Sequence, residues 1–369
     1  MDLDFSDDQK ALRDEFARFL TRHANTDHVR ELQRDAGPGY DQALWDLIAA
    51  QGWLGVTIPE VYGGLGLSQL ELCLIAEELG RALAAVPFSS TVYLFASAIM
   101  EFGSEEQKAR WLPLVARGEI VGCLAVSEGP GDLGCERPLM TTFDGTAMSG
   151  EKLPVADGIA ANAAIVLANG PEGVALYVVD LEGCDRRSLP GLDQSKGYAA
   201  LRFDQATAEA LPGADNGWDA FRKLLDRSVV PLAFEQLGGA ERALEMAVAY
   251  AKERRAFGRP IGGFQAIKHK LAEIFIQNQL ARSHAYFAAW ALESRAPDLT
   301  RAAAGARLSA IAASELASRE NIQVHGGIGF TWEADCHLYY RRAAHLALIG
   351  GSSRYWRDRL VAEIAGTSP

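Results

Sequence analysis

Apolar positions along this chain recur with two different periods, and the change between them divides it. Over the first 120 or so residues the spacing is helical. Ser6 can cap a helix that carries Leu12, Phe16, Phe19 and Leu20 at intervals of three and four. Trp45, Leu47 and Ile48 belong to a second helix, and Leu70–Leu83 forms another. Ser104, followed by Glu105, Glu106 and Gln107, opens a further one, with the capping residue just ahead of two acids. Between them Ile58-Pro59-Glu60-Val61-Tyr62-Gly63-Gly64-Leu65-Gly66 breaks the periodicity as a turn. From about Glu119 to Leu211 the texture changes. Short β-rich runs (Val121–Val126, Ala164–Ala168, Val174–Val179, Ala199–Phe203) are separated by Gly, Pro, Asp and Asn, which predicts a small antiparallel barrel or sandwich. From Trp218 onward long helices return. Phe264, Ile267, Leu271, Ile274 and Phe275 lie on one helical face, with Phe287 and Trp290 further along, and such a face predicts core between packed helices. The expected architecture is a helical domain over 1–118, a β domain over 119–213 and a helical bundle over 214–369.

Composition narrows the class of protein. With 369 residues, 49% of them hydrophobic, the chain is too apolar for intrinsic disorder and long enough for two to three domains. The net charge of −12 argues against nucleic acid as a general partner. The charge is also uneven. Residues 1–220 carry 16 basic and 34 acidic side chains, whereas residues 221–369 carry 20 and 14, so an anionic ligand would find its cations in the C-terminal part. Five scattered cysteines (Cys73, Cys123, Cys135, Cys184, Cys336) form no metal spacing and read as reduced thiols. The acidic N-terminus has no apolar signal core, which together with the thiols points to a cytoplasmic protein. The uncharged stretch Ala82–Met100 is better explained by a loop and a buried helix than by a membrane span, because it contains Pro87, Ser89, Ser90, Thr91 and Ser97.

Three glycine-rich segments stand out: 58–68 (IPEVYGGLGLS), 250–265 (YAKERRAFGRPIGGFQ) and 323–333 (QVHGGIGFTWE). None follows an expected strand and none ends in Gly-Lys-Ser/Thr, so neither a Rossmann loop nor a P-loop is indicated. Glycine pairs beside polar groups still allow backbone N–H groups to approach a phosphate. His269, His325 and His345 are expected to make structural hydrogen bonds.

Together, and in this order, these segments resemble the acyl-CoA dehydrogenase family. The resemblance also takes in DFSDDQKALRDEFARFL at 4–20, FGSEEQKARWLPLVARGE at 102–119 and GGAERALEMAVAYAKERRAFGRPIGGFQAIKHKLAE at 238–273, and so covers nearly the whole chain. It is nearest to the bacterial branch that includes steroid side-chain degradation enzymes. It implies a fold of an N-terminal all-α domain, a small antiparallel β domain and a C-terminal four-helix bundle. It also implies FAD-dependent oxidation of an acyl-CoA thioester to the 2,3-enoyl-CoA. In that chemistry a carboxylate takes the α proton while the flavin takes the β hydride. Electron-transfer flavoprotein would be the electron acceptor.

The same resemblance sorts the site residues into two groups. Arg254 and Phe257 match an RxxFG motif, Gln265 matches the Gln that follows, and Gln323, Gly326 and Gly327 match a QxxGGxG turn. In the family these residues reach into the FAD of a neighbouring subunit. The catalytic positions are lost. Gly350 stands where the family's glutamate is expected, and Ser228 occupies the alternative base position. Ser127-Glu128-Gly129-Pro130-Gly131-Asp132 reorders the family's flavin-contacting loop, and Pro154 and Ala156 replace an aromatic and a hydroxyl residue on the flavin shelf. These losses fall on one side. They imply one half of a heteromer, in which a homologous partner subunit carries the base and the two share FAD across the interface. A self-sufficient dehydrogenase using Glu235 or Asp226 as base, and a flavin monooxygenase on the same fold, are the alternatives.

Overall fold

The computed structural model describes residues 5–34, 39–131, 133, 136–214 and 216–366. The first region contains α1 (Asp7–His23), α2 (Thr26–Arg34), α3 (Gln42–Ala50) and α4 (Gln69–Arg81). A wide helical turn over Ser89–Ala96 then runs directly into α5 (Ser97–Phe102), and α6 (Glu105–Ala116) follows. Ser6, Ser68 and Ser104 each close a capping box at the start of α1, α4 and α6. In each, the serine hydroxyl and the third helical side chain satisfy backbone N–H groups that the helix itself cannot. The turn at 58–68 ends in Gly63 with φ +81°. The uncharged segment expected as a buried helix is one: every residue from Ser89 to Ala96 is buried. Among the described residues no helix is long and apolar enough to cross a membrane. The helix expected over Leu70–Leu83 stops two residues earlier, and Leu83 sits at φ +52°.

The middle region contains β1 (Gly122–Ala125), β2 (Thr142–Phe143), β3 (Ala147–Ala156), β4 (Ala163–Gly170), β5 (Gly173–Asp180), β6 (Asp185–Leu189) and β7 (Tyr198–Ala210). Strands β4, β2, β3, β7 and β5 pair in sequence, and β5 pairs back onto β4, so the sheet closes into a barrel. Closure removes the exposed edges a small sheet would otherwise present. Most pairings are antiparallel as expected, but β1 runs parallel to β4, Gly122 opposite Ala163. Sequence periodicity did not identify β2, β3 or β6. Strand β3 carries Gly150, Lys152 and Pro154 and shifts register twice against β7, which hides its alternation.

The third region contains α7 (Gly217–Glu253), a short hairpin of β8 (Arg255–Ala256) and β9 (Arg259–Pro260), then α8 (Gln265–Glu293), α9 (Leu299–His325), α10 (Cys336–Ile349) and α11 (Ser353–Ala365). Helix α7 packs on α8, α9 and α10, and it also crosses α4 of the first region. That crossing is backbone on backbone. A Cβ on Gly80 would lie 1.8 Å from the Glu235 carbonyl oxygen, and one on Gly238 would lie 1.8 Å from that of Glu77. Only glycine permits this approach. One expectation about α8 fails: Ile274 is core, but Phe275 is 54% exposed, and Ile276 and Leu280 point outward with it. The 3.6-residue period places Phe275 one step past the buried face. Cys73, Cys123 and Cys336 are buried free thiols and Cys184 is half-buried, while Cys135 lies outside the described residues.

Candidate functional site

The two groups of residues separated by sequence lie in two different environments. The first group gathers at one end of the bundle. A small cluster of Ala247 and Ala251 from α7, Val324 from α9 and the flanking Ile261 and Ile267 ties these helix ends together. Tyr250 stacks on His325 at 4.2 Å, and His325 Nδ1 bonds to the Asn321 carbonyl at 2.8 Å. Arg254 ends α7, and its guanidinium is exposed with no ion pair among the described residues. The same holds for Lys252, Arg255, Arg259 and Lys268, so this end carries unneutralised positive charge. Phe257 and Gly258 form the two-residue tip of the β8–β9 hairpin with φ of +50° and +81°. A tight hairpin whose twist matches its strands demands such angles, but a phenylalanine there costs strain. The side chain is nonetheless 97% exposed, so packing within this chain does not explain it. Gln265 begins α8, which has no side-chain cap, and Gln323 is exposed in the last turn of α9.

The glycines of the turn after α9 are not equivalent. Gly326 adopts φ 61° and ψ −138°, a region essentially reserved for glycine. A Cβ on Gly329 would lie 2.7 Å from the Ile322 carbonyl oxygen, so internal packing requires that glycine. A Cβ on Gly327 would meet nothing within 4 Å. The donor set at this end (Arg254, the bare backbone at Gly327 and an uncapped helix start) fits an anionic pyrophosphate, while the Gly326 N–H is spent on the Gln323 carbonyl.

Position 350 lies in the opposite environment. A Cβ on Gly350 would lie 2.9 Å from Val229 Cγ1 and 3.0 Å from Leu232 Cδ2, and the adjoining void is only about 10 Å³. Two α7 side-chain ends crowd this point and would have to shift to admit a side chain. The alternative bases are equally closed in. Asp226 accepts two hydrogen bonds from Arg359, at 2.6 and 2.9 Å, and one from Thr300 at 2.8 Å. It is a buried tie between α7, α9 and α11, and burial raises its carboxyl pKa while Arg359 opposes the rise. Glu235 is buried between α4, α7 and α10 beside another void of about 10 Å³, and burial raises its pKa against the pull of Lys196 and Arg342. Asp226 lines none of these cavities and Glu235 only this small void, which counts against the alternative of a displaced base. Ser228 donates to the Tyr93 and Leu224 carbonyls at 2.6 and 2.7 Å.

The shelf on the β barrel borders a cavity of about 810 Å³, bounded by the Ser89–Ala96 turn, β1, β3, β7 and α10. Pro154 and Ala156 face it where sequence expects them. Glu128 does not act freely at its edge. It accepts from Lys152 Nζ at 2.8 Å and from the Met140 and Thr141 N–H groups at 2.7 and 2.9 Å. These bonds lower its pKa to about 2 against the effect of burial. Asp132 lies outside the described residues. Sequence reasoning treated His345 as structural, and it does bond, Nδ1 to the Tyr198 hydroxyl at 2.6 Å, but it also lines the cavity. Burial holds it neutral, with a pKa pushed down to about 3. One helical turn away, Arg342 binds Asp193 at 2.5 Å and Ser195 at 3.0 Å. No sequence signal links Tyr198 to His345, because 147 residues separate them.

Comparison with known proteins bears on the family. Residues 6–119 match the model for the acyl-CoA dehydrogenase N-terminal domain, and residues 215–365 match that for the C-terminal domain. The chain is 31% identical to acyl-CoA dehydrogenase IpdE2 of Mycobacterium tuberculosis over 97% of its own length and 98% of the relative's. Among solved structures it is similar to a variant of the Tcur3481-Tcur3483 steroid ACAD, with a TM-score of 0.88, 32% identity, and coverage of 98% and 99% of the two chains. It is also similar to the ChsE4-ChsE5 complex from Mycobacterium tuberculosis, with a TM-score of 0.89, 27% identity and full coverage of both chains. The chain belongs to the acyl-CoA dehydrogenase family of FAD-dependent oxidoreductases.

Proposed function

We propose that this chain is the non-catalytic subunit of a heteromeric acyl-CoA dehydrogenase that forms 2,3-enoyl-CoA. The observation that carries this reading is the contrast at Gly350. The base position holds no carboxylate and is crowded by Val229 and Leu232, while Arg254 has no ion pair among the described residues, the Phe257 ring is 97% exposed with only an edge contact to Phe264, and a Cβ on Gly327 would meet nothing within 4 Å. A homologous partner subunit supplies the glutamate and the flavin shelf, and the two subunits share FAD across their interface. When bound, FAD supplies the hydride acceptor.

On this reading Arg254 pairs its guanidinium with the pyrophosphate, and the bare Gly327 lets the backbone approach it while Gly326 shapes the turn. Phe257 lies against the cofactor, which excludes water there, and Gln265 and Gln323 supply neutral amide contacts. The outward stripe of Phe275, Ile276 and Leu280 on α8 suits burial between subunits, because apolar patches of this kind mark contact surfaces. The branch of the family favours a bulky acyl-CoA of the steroid side-chain kind as substrate and electron-transfer flavoprotein as electron acceptor.

The test is co-purification with a homologue that carries a glutamate at the position of Gly350. The pair should hold FAD and oxidise acyl-CoA, while this chain alone should do neither. Full turnover by this chain alone would overturn the reading.

A further inference from the structure

The cavity of about 810 Å³ beside the β barrel falls within the roughly 300–1,000 Å³ of small-molecule sites. On the reading above it holds no flavin in this subunit, yet it has not collapsed. Leu94, Leu124, Val126, Leu153, Leu348 and Ile349 make its walls apolar. Among the described residues that line it, none is Asp, Glu, Lys or Arg. An ionised ligand buried there would find no counter-charge, and that costs more than the apolar walls return. A neutral, largely hydrocarbon ligand has no such penalty.

The cavity also has a polar handle. His345 lines it, is almost completely buried, and uses Nδ1 on the Tyr198 hydroxyl, while Nε2 has no hydrogen-bond partner among the described residues. Where the phenol donates to Nδ1, Nε2 carries the proton and is left as a donor on a residue that lines the cavity. The other lining hydroxyls differ. Ser90 is spent on Asp157 at 2.6 Å and Ser352 caps α11, whereas Ser127 makes no side-chain bond among the described residues. The free groups are thus one imidazole N–H and one hydroxyl, set in a hydrocarbon wall.

We propose that this cavity is a binding site for a neutral, rigid, apolar molecule that bears a carbonyl oxygen, held by His345 Nε2–H. The proposal rests on the reading that this subunit has given up its own flavin. The full chain, purified alone, is titrated calorimetrically with progesterone, a neutral polycyclic ketone. Cholate, a ring system of similar size that carries a carboxylate, and FAD serve as comparators. The expected result is one progesterone per chain and at least tenfold weaker binding of cholate. His345→Phe should weaken progesterone about tenfold, the range of one lost hydrogen bond. Ala344→Trp, which fills the cavity from a half-exposed position on α10, should abolish binding while the circular dichroism spectrum is unchanged. Stoichiometric FAD binding by the chain alone overturns both this proposal and the subunit assignment. Absence of progesterone binding without FAD binding overturns this proposal alone, as does progesterone binding that survives Ala344→Trp, or cholate bound as tightly as progesterone.

Discussion

The end of the helical bundle and the cavity beside the barrel have opposite designs. At the bundle end, charge is unpaired, an aromatic ring stands 97% exposed on a strained hairpin, and a glycine is bare with nothing of its own chain near it. Around the cavity, acids are tied up in ion pairs, the imidazole is held neutral, and apolar side chains occupy the base position. The first region keeps features that the packing of this chain does not explain. The second keeps features that serve the fold. Evolution under two different demands leaves this kind of split, because exposed strain persists only where something outside repays it.

Several substitutions can break or sharpen that contrast. Asp226→Asn removes one partner of a buried bidentate pair and strands Arg359, so unfolding in urea should show a loss of about 3–5 kcal/mol. If Asp226 were the base, the same change would abolish turnover of the complex at little cost to stability. Arg254→Glu places a like charge where a pyrophosphate is expected. FAD retention by the co-purified complex should fall about 100-fold on gel filtration, with the melting temperature of this chain alone unchanged. Unchanged FAD content would remove the bundle end from the site.

The pH response tests the closed region. An unfolded imidazole titrates near 6.5, whereas folded His345 titrates near 3. Below about pH 6.5 the unfolded chain binds a proton that the folded chain refuses. Stability should therefore fall as pH drops from 6.5 toward 3, by about 1.4 kcal/mol per pH unit for this one group. Glu128, folded near 2, adds its own loss only below about pH 4.5. Urea midpoints at pH 7, 6 and 5 measure the first effect, and His345→Phe should flatten it. The smallest effect is expected from Phe257→Ala. Removing an exposed ring should leave folding intact and reduce FAD affinity of the complex about threefold to tenfold. A drop in the stability of the isolated chain would show that the ring serves its own fold after all.

Much of this was legible in the sequence, for reasons that differ by region. Helix starts at Ser6 and Ser104 are local events, set by a hydroxyl and a side chain three residues on, so the chain spells them out. The RxxFG and QxxGGxG segments are contiguous, and their glycines and aromatic mark the bundle end without reference to the fold. Strand β3 was not legible, because its bulges and Pro154 break the alternation that identifies a strand. The direction of Phe275 was not legible either, since an apolar residue one step off the core face has the same letter as one on it.

What the sequence alone determined was the order of helical, β-rich and helical regions, the absence of a carboxylate at Gly350 and the contiguous RxxFG and QxxGGxG motifs. Each of these is a property of residues adjacent in the chain. What only the tertiary structure decided was whether Asp226 and Glu235 could replace the missing base, and whether the worn shelf still enclosed a space. Both depend on which distant side chains close around a point. Arg359 meets Asp226 across 133 residues, and Tyr198 meets His345 across 147. Burial and charge pairing are set by those meetings, and no local pattern encodes them.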